Sequence, residues 1–250
     1  MTFSIVARCP RTGQIGVAAS TAVQAVGKLA CHAVPHTGAV ASQALVNPYL
    51  AYDALRLMDQ GIEAEAALQR VLAMESQPET RQVGIVDNQG RVAAWTGDEN
   101  IPWAGHIEGK QCMIQGNRLV GPWVVERMLQ VMHDLEYLTL AERLVRSLQA
   151  GAVMGGDRHG ERSVNVMVFG EEEYPLCDIR IDDHDHPMQE LERLFVLYQQ
   201  KVLPELLKMP RRSDAQHVRV PAVVGKRPLF LQSARLDQRN RLMSFELKHG

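Results

Sequence analysis

Thr2 directly precedes an apolar stretch, and its chemistry changes if it becomes the amino terminus. Met1 is removed from chains whose second residue is small, and Thr2 would then carry both a hydroxyl and a free α-amine. An unperturbed α-amine has a pKa of ~7.7–8.0, so near pH 7 a neutral fraction exists that can take the hydroxyl proton. Nucleophile and base would share one residue, and attack on a carbonyl would give an acyl-enzyme. The same threonine could equally do no more than begin a strand. Acyl transfer also needs donors where the carbonyl oxygen becomes negative. Asn117, in the segment QGNRLVG, suits that role, and Gly116 and Gly121 would let the backbone approach a ligand, although Asn and Gly also serve as plain turn residues. The segment GGDRHGERS sets Asp157, Arg158 and Arg162 among glycines. It could be a substrate-binding loop, its guanidinium groups available for a carboxylate, or a solvated turn with an ion pair. It lacks the closing Gly-Lys-Ser/Thr of a phosphate loop.

Asp182, Asp183, His184, Asp185 and His186 offer many metal ligands in succession. Adjacent side chains on extended backbone point to opposite faces, so they do not converge on one ion. The expectation is turn and capping contacts from Asp182 and Asp183 before a helix at Pro187, exposed histidines, and no metal. Cys9, Cys31, Cys112 and Cys177 lie far apart, which suggests neither a zinc knuckle nor a disulfide framework. Cys9 reads as a packed thiol.

These residues need elements to hold them. FSIVAR and QIGVAAS flank CPRTG, whose proline and glycine supply turn angles, so the chain opens with a hairpin. LACHAV and GAVASQAL, rich in small residues, suit tightly packed inner strands, and these four strands precede any helix. Asn47 followed by Pro48 is an N-cap with proline at the first helical position. Leu50, Ala54, Leu57 and Met58 then recur at helical spacing to near Gly61, and residues 62–74 repeat the pattern. RQVGIVD and RVAAWTG flank a turn at Asn88, Gln89 and Gly90. QCMIQG adds a strand, residues 122–135 and 139–152 carry helical stripes, 162–169 and 176–182 read as closing strands, and 187–207 is a last helix. Blocks of strands and helices, unlike strict βαβ alternation, favour antiparallel sheets with segregated helices. Two sheets between two helical layers fit.

The 250 residues contain 27 Lys plus Arg against 29 Asp plus Glu, so no strong overall field draws nucleic acid or membrane. No apolar run reaches the ~18 residues of a bilayer span, and the first segment lacks a signal-peptide layout, so the expected location is cytoplasmic. Residues 1–207 read as one domain, and 208–250 as a basic, proline-containing extension. With no RNA- or DNA-binding motif, nucleic acid is not an expected partner. The helix with Leu191, Leu194, Phe195, Tyr198 and Val202 could serve a homo-oligomer contact or belong to the core.

In order along the chain, MTFSIVARCPRTGQIGVAAS, AVGKLA, ASQALVNP, RQVGIVDNQGRVAAWTG, IPWAGH, QGNRLVG, GGDRHGERS and DIRIDDHDHP resemble the DUF1028 family. The resemblance covers residues 1 to about 207. It implies a fold like that of the N-terminal nucleophile hydrolases, an α+β four-layer αββα sandwich, and an amide-bond hydrolase with an N-terminal nucleophile. It also hints at peptide or peptidoglycan-fragment substrates. Thr2 occupies the nucleophile's place. Where proteasome-like relatives of that fold place an acid after the second strand, this chain has Ser20 and Thr21, and Cys31 and His32 fall where a lysine would stand. Ser20, Ser42 and Gln43, at the ends of small-residue strands, are then candidates to orient the amine and substrate, or simply bond strand ends. The reading is a cofactor-independent hydrolase of a small amide or short peptide. The alternative is a non-catalytic ligand-binding or scaffold protein on the same fold.

Overall fold

A computed structural model describes residues 2–213, so the basic extension from residue 214 onward lies outside the described residues. All the elements fall within one unit, Met1–Met209. Strands β1 (Thr2–Arg8) and β2 (Ile15–Thr21) form the expected hairpin. A helical turn, α1 (Val26–Leu29), separates them from β3 (Cys31–Val34) and β4 (Gly38–Ala44), so only two strands precede the first helical residues. Helices α2 (Pro48–Asp59) and α3 (Ala64–Ala73) follow, and the Asn47 side chain accepts from the Tyr49 N–H as an N-cap. Next come β5 (Arg81–Asp87), β6 (Val92–Thr96), β7 (Gly105–Gly109) and β8 (Cys112–Asn117). Helices α4 (Trp123–Asp134) and α5 (Leu140–Val153) precede β9 (Ser163–Phe169) and β10 (Pro175–Ile181). The last helix, α6 (Pro187–Leu197), widens into a π-type turn over Tyr198–Val202 and ends as α7 (Leu203–Leu206).

The strands form a six-stranded sheet, ordered β10-β9-β2-β1-β8-β7, and a four-stranded sheet, ordered β3-β4-β5-β6, with every pairing antiparallel. Helices α4, α5 and α6 cover the larger sheet through Phe3, Ile5, Leu144, Leu148, Leu191 and Phe195. Helices α2 and α3 cover the smaller one through Val40, Ala54, Leu68, Val83 and Ile85. Val6, Val17, Ala39, Val86, Met113 and Met167 fill the space between the sheets. The result is the α+β four-layer αββα sandwich that the resemblance implied. β4 is an inner strand as expected, but β3 is an edge strand. Leu191, Phe195 and Tyr198 of the last helix are spent on this core, while Val202 remains exposed.

Side-chain alternation with period two decides which strand residues meet. On β1, Phe3, Ile5 and Ala7 face the helices, and Thr2, Ser4 and Val6 face the other sheet. Antiparallel register matches Thr2 with Thr21 on one side and with Asn117 on the other. Strand β1 therefore runs through the middle of its sheet with Thr2 at one end.

Candidate functional site

The layer between the sheets changes character along its length. Near the β1–β2 turn it is apolar, with Val6, Ile15, Val17 and Met167. One step further, Ser4, Gln115 and Asn165 enter it, and at the Thr2 end stand Thr2, Thr21, Asn117, Gln43 and Gln82, all buried. Burying so many amides is costly unless they bond one another. Gln82 supplies most of that compensation. Its Oε1 accepts from Gln43 Nε2 at 2.7 Å and from Asn117 Nδ2 at 3.0 Å. Its Nε2 donates to the Gly116 carbonyl at 2.8 Å, the Thr96 hydroxyl at 3.0 Å and the Gly105 carbonyl at 3.1 Å. Gln43 Nε2 also donates to the Thr2 carbonyl at 3.3 Å. The Thr2 hydroxyl donates to Thr21 Oγ1 at 3.2 Å, and Thr2 is 7% exposed.

Beside the Thr2–Thr21 pair, a carboxylate meets the end of strand β2. Because β1 and β2 are antiparallel, the direction from Thr2 towards its own nitrogen is the direction from Thr21 to Ala22. The Ala22 N–H donates to Asp157 Oδ2 at 3.1 Å. Asp157 is 3% exposed, also accepts from the His159 N–H, and forms no ion pair among the described residues. Its own N–H donates to Glu161 Oε1 at 3.1 Å. Burial pushes the Glu161 carboxyl up, and the charge of Asp157 beside it adds to the rise.

The residues singled out in the sequence divide by strand parity. Thr2, Asn117 and Gln43 come together, and Asn117 ends strand β8 rather than sitting in a loop before a helix. Ser20 and Ser42 lie on the helix-facing sides of their sheets, where Ser20 donates to the Ser163 carbonyl at 3.2 Å and Ser42 to the Asn47 carbonyl at 2.8 Å. Their neighbours Thr21 and Gln43 face the layer instead. Arg158 donates through Nε to the Leu119 carbonyl at 3.0 Å. Arg162 is held at the surface by Asp183 and Asp185. Asp182 pairs with Lys28, and helix α6 receives no side-chain cap, so the carboxylates expected to cap it hold basic partners instead. His184 and His186 are exposed. Thr21, Gln82, Thr96 and His106 were not anticipated. For Gln82 the available signal was a polar residue at an inward position of an otherwise apolar strand, RQVGIVD.

The candidate site thus sits in an αββα sandwich whose first strand runs mid-sheet, with a threonine at its start among buried amides. The chain belongs to DUF1028, a family of unknown function, whose family model matches residues 2–191. The crystal structure of protein SPO2555 from Silicibacter pomeroyi, assigned to the same family, is similar with a TM-score of 0.79 at 29% identity. That match covers 86% of this chain and 98% of that one. Anbu, the ancestral β-subunit from Yersinia bercovieri, matches at a TM-score of 0.37 and 12% identity, over 83% of this chain and 98% of its own. A likeness that faint carries nothing about chemistry. No curated protein matches the chain.

Proposed function

We propose that this protein hydrolyses the amide bond of a small amide or short peptide, with Thr2 as nucleophile once Met1 is removed. The observation that carries the reading is the buried Asp157 carboxylate, bound to Ala22 on the amino side of Thr2 and lacking a cation among the described residues. A Thr2 α-ammonium would be its counter-ion, and a carboxylate beside an amine strengthens the amine as a base. In this mechanism Thr2 Oγ1 attacks the carbonyl carbon and its proton passes to the α-amine. The tetrahedral oxyanion needs donors. Asn117 Nδ2 spends one hydrogen on Gln82 and has a second to give. Collapse breaks the C–N bond, the leaving amine takes the proton from the α-ammonium, and water then hydrolyses the ester with the α-amine as base. No cofactor enters these steps.

Intact-mass measurement of untagged protein should give the mass without Met1, and retention of Met1 would rule the mechanism out. Thr2→Ala should abolish turnover of an amide or peptide panel while Thr2→Ser keeps part of it. Equal rates in wild type and Thr2→Ala would remove Thr2 from the chemistry. The 7% exposure of Thr2 favours a second reading, non-catalytic ligand binding, which predicts saturable binding that survives Thr2→Ala with no turnover in either protein. Among the described residues no helix is long and apolar enough to cross a membrane. The four free thiols suit a reducing compartment, and we assign the protein to the cytoplasm, with a homo-oligomer compatible and nucleic acid outside the proposal.

A further inference from the structure

A hollow of about 430 Å³ opens where the edge strands of the two sheets approach, β6 on one side and β7 on the other. Thr96, Asp98, Asn100, Ala104, Gly105 and His106 are among its lining residues. It is wired to the Thr2 end through Gln82, whose Nε2 bonds both Thr96 Oγ1 and the Gly105 carbonyl. Thr96, already accepting from Gln82, has its own proton to give, and its oxygen lies 2.9 Å from His106 Nδ1. Burial lowers the His106 pKa below that of a free imidazole, which favours the uncharged ring. Asp98, exposed at the rim, forms no ion pair among the described residues, and no Lys or Arg lines the hollow.

Distance fits the hollow to the site. Gly105 pairs with Gly116, and Gly116 pairs with Phe3, the neighbour of Thr2. At ~4.8 Å between strands, the hollow lies roughly 10 Å from Thr2. An extended peptide covers that span in about three residues.

We infer that the hollow between β6 and β7 is a subsite for an ammonium group, the free amino end of a short peptide whose scissile carbonyl reaches Thr2. Asp98 supplies the charge, and the His106 ring with the Gly105 backbone shapes the pocket. The peptide's orientation rests on the proposed role of Thr2, but occupancy of the hollow does not.

The test uses the full-length Thr2→Ala protein, which cannot turn substrate over by the proposed route, so binding is read apart from catalysis. Triglycine amide and its N-acetyl derivative are titrated by calorimetry, with the His106 ring resonances followed by NMR. The free-amine peptide should bind about tenfold tighter than the acetylated one and shift the His106 signals. Asp98→Asn should erase that preference, and Ala104→Trp, which fills the hollow, should abolish binding while circular dichroism reports an intact fold. Equal affinities for the two peptides, a preference that persists in both variants, or no saturable binding of either peptide would overturn the subsite. Absence of wild-type turnover alongside amine-selective binding would remove the hydrolase reading and leave the subsite standing.

Discussion

Gln82 joins both sheets at the Thr2 end, because it accepts from two buried amides and its two N–H hydrogens are shared among a hydroxyl and two carbonyls. Replacing it by leucine keeps the volume, takes the Gln82 acceptor from Asn117 Nδ2 and from one Gln43 Nε2 hydrogen, and takes a donor from the Gly116 carbonyl. At about 1–3 kcal/mol for each buried group left unpaired, Gln82→Leu should lower unfolding free energy by ~3 kcal/mol or more in denaturant titration. Asp157 is a residue-scale test of another kind. If the Thr2 amine is its counter-ion, Asp157→Asn should weaken that amine as a base and move the alkaline-going limb of the pH–rate profile to lower pH. A profile unchanged in Asp157→Asn would separate the carboxylate from the amine.

At the scale of elements, Glu75 ties the start of α2 and the end of α3 to the first residue of β5. Its carboxylate accepts from Asn47 Nδ2 at 2.7 Å, from the Gln77 N–H at 3.0 Å and from Arg81 Nη2 at 3.2 Å. Burial alone would raise this carboxyl, but the hydrogen bonds from Asn47, Arg81 and Gln77 outweigh it and bring its pKa down to about 2. A carboxyl depressed in the folded state stabilises fully above its unfolded pKa, ~4.3, and loses that contribution as pH falls through the folded value. Glu75→Gln should therefore cost about 3 kcal/mol at pH 7 and almost nothing at and below pH 2, measured by denaturant midpoints across that range. The start of α2 was legible in the sequence because Asn47 and Pro48 act locally, through one side chain and one fixed φ. Strand β7 was not, since GHIEG is short and has glycine at both ends, so only its pairing with β8 makes it a strand. Helix α1 was also missed, because it is a single turn entered through Ala25 at φ 61°. The candidate site was legible where a residue type announced itself, as at Thr2 and Asn117, which the register of β1 and β8 brings side by side. It was not legible where facing had to be known, since Ser20 and Thr21, or Ser42 and Gln43, are interchangeable until pairing decides which side each takes.

Over the whole molecule, the four thiols are all buried and unpaired. Burial pushes Cys31 and Cys177 up to about 12 and Cys112 to about 11. For Cys9, burial raises the thiol but hydrogen bonds with Thr12 and the Arg11 backbone outweigh it, and only 1% of the residue is exposed. Native protein should therefore show no fast-reacting thiol with Ellman's reagent at pH 8, and all four should appear on unfolding. A fast native equivalent would expose an opening motion of the sandwich. The layer between the sheets, apolar at one end and amide-lined at the other, has a consequence for how this sequence can vary. A saturation scan scored for abundance should be harsh around Val6, Val17 and Met167, where only packing matters. Scored for activity, the same scan should be harshest around Thr2, Gln43 and Asn117. The two maps would split a single interior into one half that heredity guards for solidity and another that it guards for work.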